Sequence, residues 1–189
     1  MAETQTQNRI LTIPNVLSIS RLMILLPVAL YLLISGRYVS TIVALFFLGA
    51  TDWLDGFLAR SLHQQSNFGK ILDVVADRIS VVIVGIGLVI AGLMPWWVVA
   101  YIAAIDAVVA ALTWYLYQGP PPIPVSMSGK VRTALLLLAL PGLILAAALE
   151  SPVVRNVALA LLLLGMIFQA IAAVGYIAAM LRDKKKAND

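Results

Sequence analysis

Long runs of Val, Ile, Leu and Ala dominate this chain, and short polar breaks separate them. An α-helix needs about 20 mostly apolar residues to cross the hydrocarbon of a bilayer. Six runs of that kind are present, over residues 14–34, 39–58, 68–93, 96–117, 131–149 and 152–181. Ser35-Gly36-Arg37, Leu93-Met94-Pro95 and Gly119-Pro120-Pro121-Pro122 fall between runs, where Gly and Pro punctuate helices. Pro14 and Pro152 suit the first turn of a helix, whose N–H groups have no partner in any case. Pro27 and Pro141 lie inside their runs and predict kinks. The expected fold is an all-α integral membrane protein with six transmembrane helices. Residues 1–189 would form a single membrane domain, with a polar N-terminal segment (1–12) and a basic C-terminal tail (182–189).

Composition agrees with this pattern. The 189 residues are 62% hydrophobic and 12% charged, with a mean hydropathy of +0.99, whereas soluble domains run near half apolar and a quarter charged. The polar start of the chain and Arg21 within the first run argue against a cleavable signal peptide. An even number of spans puts both termini on one side. Arg9, Arg60, Lys70, Lys130, Arg132, Arg182 and Lys184-Lys185-Lys186 fall on that side, and only Arg37 and Arg155 on the other. Cytoplasmic loops carry the excess of Lys and Arg, so both termini are expected to be cytoplasmic, in a multi-pass protein of the cytoplasmic membrane. The same topology accounts for the net charge of +4 without nucleic acid. Absence of cysteine excludes disulfides and thiolate metal sites, and the lone His63 excludes a multi-His zinc site.

One stretch breaks the apolar rule. Asp52 and Asp55 lie three apart near the end of the second span, and Asp73 and Asp77 four apart near the start of the third. Residues at those spacings share a helix face, and the short connection makes the two helices antiparallel neighbours. Four like charges in a low-dielectric setting need neutralising. An all-oxygen set of carboxylates suits Mg²⁺ or Mn²⁺, and two ions match the charge better than one. Ions held so commonly complete their coordination with phosphate or pyrophosphate oxygens. Gly56 and Gly69 clear space for a ligand, and Arg60 offers a planar fork for a diphosphate. Ser66 and Asn67 suit the N-cap of the third span and can also face a ligand. The competing account treats the acids as interhelical hydrogen-bond partners or as the ion relay of a cation- or proton-coupled transporter.

Written out, the stretch is D-x2-D-G-x2-A-R-x8-G-x3-D-x3-D, carried by Asp52, Asp55, Gly56, Ala59, Arg60, Gly69, Asp73 and Asp77. It resembles the signature of the CDP-alcohol phosphotransferase family of membrane enzymes. The resemblance implies that Asp52, Asp55 and Asp73 bind a divalent metal pair. It makes Asp77 both a ligand and the general base on an acceptor hydroxyl. Gly56, Arg60 and Ser66 would contact the CDP-lipid, as would Ala59 and Gly69 within the signature. Asn15-Val16-Leu17-Ser18 matches a further CDP-lipid contact region of that family. The implied reaction moves the phosphatidyl group of CDP-diacylglycerol to an alcohol and releases CMP. Family members are commonly homodimers, so a homodimer is expected here.

The acceptor is less sharply marked. "IPNVLSISR" (13–21) and "SGKVRT" (128–133) resemble segments of phosphatidylglycerophosphate synthases within that family. Lys130 and Arg132 are then expected to bind the phosphate of an acceptor such as sn-glycerol 3-phosphate; topology and headgroup contact are the competing account. Phosphatidylinositol phosphate synthesis and CDP-diacylglycerol-dependent cardiolipin synthesis stay open as sister activities. Asp106, a lone acid within the fourth run, is expected to hydrogen-bond inside the bundle, with a supporting or acceptor-pocket role as the competing account.

Overall fold

The structure, a computed structural model, describes residues 19–61, 67–118 and 126–188. Within them it describes every side chain except those of residues 21, 52–61, 67–75 and 185–188. Among the described residues the backbone is helical apart from turns, with no strand and no cis peptide. A π-helical turn, Arg21–Leu25, leads into α1 (Leu26–Ile34). There follow α2 (Tyr38–Ser61), α3 (Asn67–Ile90), α4 (Trp96–Tyr117), α5 (Met127–Ala148) and α6 (Pro152–Asn188). Each falls on one of the six apolar runs.

Local chemistry explains where the helices begin and end. After α1, Gly36 adopts φ +72°. Its N–H donates to the Leu33 carbonyl at 3.1 Å, and the Arg37 N–H to the Leu32 carbonyl at 2.9 Å. These are the two bonds of a Schellman cap, which glycine makes without a Cβ penalty. The same pair of bonds closes α5, from Glu150 to Ala147 and from Ser151 to Ala146, but there Glu150 takes the left-handed position at φ +48°. Pro27 sits in the first turn of α1, directly after the π-turn. A proline ring clashes with the carbonyl four residues back, and widening the preceding turn relieves that clash. Pro141 lies inside α5, and Pro152 opens α6 as expected.

Two boundaries differ from the apolar pattern. Helix α5 begins at Met127 rather than near 131, because Ser126 caps it and accepts a 3.2 Å bond from the Gly129 N–H. Polar Ser128, Gly129 and Lys130 are therefore helical although hydropathy leaves them out. Helix α6 runs on past Leu181 to Asn188. Lysines near a helix C-terminus interact well with its negative end, and nothing in LRDKKKAN breaks a helix.

The chain divides into two compact units, Met1–Ala91 and Gly92–Asp189. In the first, α1 packs against both α2 and α3. Leu26, Ala29 and Leu33 are buried on α1, and Gly87 of α3 lets Leu30 and Leu33 approach where a Cβ would stand. In the second, α5 and α6 form a long antiparallel pair: Gly142 lies against Ala158, and Gly165 against Leu136. Helix α4 packs on α6 running in the same direction. Tyr101 donates to the Met166 carbonyl at 3.1 Å, Gln169 donates to the Ile102 carbonyl at 3.2 Å, and the Tyr117 hydroxyl meets Asp183 Oδ2 at 2.9 Å.

Three helices among the described residues are long and apolar enough to cross a membrane: Trp96–Tyr117, Met127–Ala148 and Pro152–Lys184. Leu22–Ile34 and Tyr38–Thr51 are shorter apolar segments. Large hydrophobic side chains such as Phe46, Leu137, Leu163 and Val174 point outward. So much exposed apolar surface suits a lipid surrounding, where helices satisfy their own backbone groups.

Candidate active site

The acidic stretch spans two consecutive helices. Asp52, Asp55, Gly56, Ala59 and Arg60 lie in the last turns of α2, and Gly69, Asp73 and Asp77 in the first turns of α3. Helical register puts Asp52 and Asp55 on one face of α2, and Asp73 and Asp77 on one face of α3. Of these side chains, only Asp77 is among those described. It is exposed, and the adjoining Ala76 is fully buried, so α3 turns its packed side away at this level. Thr51, just before Asp52, returns its hydroxyl to the helix by donating toward the Phe47 and Leu48 carbonyls at 2.8 and 2.9 Å. Ser66 and the Asn15–Ser18 segment lie outside the described residues.

Carboxylates outnumber the other strongly metal-binding side chains of this stretch, four against the single imidazole of His63. That donor set fits a hard divalent cation and fits zinc or copper poorly.

The two basic residues near the start of α5 separate. Both lie in the first two turns of α5, near its positive dipole end. Lys130 is exposed. Arg132 turns inward: its Nη1 donates to Asp106 Oδ1 of α4 at 2.9 Å, an ion pair in which the two side chains are 18% and 16% exposed. Asp106 thus bonds inside its bundle, as its isolated place in the fourth run predicts. The same oxygen also receives Gln169 Nε2 of α6 at 3.3 Å.

Gln169 is a participant that the sequence pattern did not single out. It is 1% exposed. The available signal was its isolation, an amide deep in the apolar run of α6 and well beyond Arg155 and Asn156 near the start of that run, but an amide carries no charge and its spacing matches no motif. Two atoms of this cluster, Arg132 Nε and Gln169 Oε1, are buried without a hydrogen-bond partner.

Comparison with known proteins bears on most of the chain. The model of the CDP-alcohol phosphatidyltransferase family matches residues 11–181. A Mycobacterium tuberculosis protein provisionally named a cardiolipin synthase is 38% identical over 147 residues, covering 77% of this chain and 70% of its own length. The cardiolipin synthase (CMP-forming) of Streptomyces coelicolor is 34% identical over 151 residues, covering 76% and 70%. The CDP-diacylglycerol–glycerol-3-phosphate 3-phosphatidyltransferase of Haemophilus influenzae is 38% identical over 142 residues, covering 70% and 75%.

Proposed function

This chain belongs to the CDP-alcohol phosphatidyltransferase family, and on that premise we propose that it transfers the phosphatidyl group of CDP-diacylglycerol to sn-glycerol 3-phosphate in phospholipid biosynthesis. The observation that carries the reaction is the placement of four aspartates, in two same-face pairs, on the adjoining ends of consecutive helices. Membership in an enzyme family also decides between a transferase and an ion-coupled transporter, in favour of the transferase.

Asp52, Asp55, Asp73 and Asp77 are the residues that would hold a pair of Mg²⁺ or Mn²⁺ ions. Bound there, such ions supply neutralisation of the diphosphate and of the departing CMP. The chain's own residues do the rest. Asp77, exposed on α3, accepts the proton of the acceptor hydroxyl. The oxygen so activated forms a bond to the β-phosphorus. The bridging P–O bond to CMP breaks, and CMP leaves with the electron pair. Arg60 offers a guanidinium fork to the diphosphate, Gly56, Ala59 and Gly69 leave room beside it, and Asn15–Ser18 and Ser66 complete the CDP-lipid contacts. In such transfers positioning and charge stabilisation supply most of the rate.

The acceptor assignment rests on Lys130 and Arg132, two cations near the start of α5. Asp106 already answers the charge of Arg132, and a phosphorylated polyol provides an anion for the exposed Lys130 and for the part of the guanidinium that Asp106 leaves open. The similarity to the Streptomyces coelicolor enzyme favours a second acceptor, phosphatidylglycerol. Six membrane-crossing helices with both termini and the aspartates on the cytoplasmic side fit this chemistry, since the CDP head is soluble and the diacylglycerol is not. A homodimer fits the family.

The test is CMP release from CDP-diacylglycerol by the full chain in detergent with Mg²⁺ or Mn²⁺. The acceptors are sn-glycerol 3-phosphate, inositol 1-phosphate, inositol, serine and phosphatidylglycerol, each alone. Release with glycerol 3-phosphate supports the primary assignment, and release only with phosphatidylglycerol transfers it to the second. Release with neither refutes both.

A further inference from the structure

We propose that Asp106 and Gln169 are positioning residues that hold the Arg132 guanidinium for the acceptor, so that acceptor recognition depends on a three-helix polar cluster rather than on α5 alone. This rests on the assignment of Arg132 to the acceptor phosphate.

The cluster draws one residue from each helix of the second unit. Asp106 stands midway along α4, Arg132 in the second turn of α5, and Gln169 within the apolar stretch of α6. Asp106 Oδ1 is the shared acceptor, for Arg132 Nη1 at 2.9 Å and Gln169 Nε2 at 3.3 Å. Gln169 Nε2 also donates to the Ile102 carbonyl at 3.2 Å, one turn before Asp106. The amide therefore braces both the carboxylate and the helix that carries it. A carboxylate fixed in this way holds the guanidinium at one end.

Two features argue that the cluster does more than join helices. First, an ion pair within an apolar bundle adds little stability over well-packed apolar residues, because desolvation offsets the attraction. Secondly, the cluster is incompletely hydrogen-bonded. The Asp106 bond uses one terminal nitrogen of the fork, and Arg132 Nε and Gln169 Oε1 are buried without partners. Buried polar groups are nearly always satisfied in a finished core. Here a donor and an acceptor stand unused in one cluster, next to a cation that is still 18% exposed. Both atoms are sealed, so a phosphate meets the exposed part of the guanidinium, and the two unused groups mark a cluster that is not a finished structural tie.

Removing Asp106 has two opposed effects. It strips a negative charge from beside Arg132, which would strengthen anion binding, and it frees the guanidinium, which would weaken it. The proposal requires that the second effect dominate. Kinetics of the full chain are measured in detergent with Mn²⁺ and CDP-diacylglycerol. The acceptor is sn-glycerol 3-phosphate, or phosphatidylglycerol if that is what the unaltered chain uses. Asp106→Asn is expected to raise the acceptor KM about ten-fold or more, with a smaller change in kcat and in the KM for CDP-diacylglycerol. Asp106→Glu should recover part of the loss, and Gln169→Leu should raise the acceptor KM by a smaller factor. Asp106→Asn combined with Arg132→Gln should be no worse than Arg132→Gln alone, because Asp106 acts through Arg132.

An acceptor KM that is unchanged or lowered in Asp106→Asn overturns the proposal. So does a fall in thermal midpoint without a change in acceptor KM, the result of a purely structural tie. If Asp106→Asn does not fold, Gln169→Leu decides by the same criterion. An unchanged acceptor KM in Arg132→Gln removes the phosphate assignment itself. A raised KM there beside an unmoved Asp106→Asn overturns only the positioning role.

Discussion

Asp77 illustrates what a single side chain contributes. It is exposed while its neighbour Ala76 is sealed in the packing, and it follows Asp73 by one helical turn. Asp77→Asn keeps the shape and removes the proton acceptor. Turnover is expected to fall by about three orders of magnitude or more, while CDP-diacylglycerol still binds. Single-turnover CMP release and equilibrium binding of the donor check the two halves separately; full turnover in the variant would remove Asp77 as base. The aspartates were legible in the sequence because charge stands out against an apolar background and because three- and four-residue spacings translate directly into a helix face. Arg132 was legible as a cation but not as the partner of Asp106, since they are far apart in the chain and only folding brings α4 and α5 together. Gln169 was marked only by standing amid apolar residues, which names neither a partner nor a role.

At the level of the helix, the caps lend themselves to direct tests. Glu150 occupies a left-handed position that suits glycine, and it places a negative charge at the C-terminal end of α5. Both are unfavourable. Glu150→Gly is expected to stabilise the protein by up to about 1 kcal/mol, read as a higher thermal midpoint in detergent. The α5–α6 seam predicts the opposite for a large residue. A Cβ on Gly142 would already stand 3.1 Å from the Ala158 Cβ, so Gly142→Leu should destabilise by about 1–3 kcal/mol in the same measurement. Helix existence followed from hydropathy, because the apolar runs and the Gly and Pro breaks are strong signals. Helix ends followed less well. Ser126 starts α5 through a side-chain bond, and α6 persists through lysines. Neither effect appears in a count of apolar residues.

For the molecule as a whole, the membrane arrangement carries the main expectation. Three helices meet the length and composition for crossing, and α4 and α6 run the same way with α5 reversed between them, as alternate crossings require. Both termini are expected on the cytoplasmic side. In sealed inverted vesicles, protease should remove tags from either end; protection of one tag only would contradict an even number of crossings. Chelation should abolish CMP release, and added Mn²⁺ or Mg²⁺ should restore it, if the aspartates hold divalent ions. Helix α6 has a further consequence. Its 37 residues extend about 55 Å at 1.5 Å per residue, well beyond the roughly 30 Å of hydrocarbon. Near its far end, Asp183 accepts from Tyr117 and Lys184 rests 4.8 Å over that ring. That part of the helix is thus tied to α4 at Asp183 and Lys184. A helical reporter joined to it without a break would inherit a fixed azimuth, and each inserted residue would swing that reporter by about 100° around the axis. This chain therefore offers a ready handle for building rigid fusions above a bilayer.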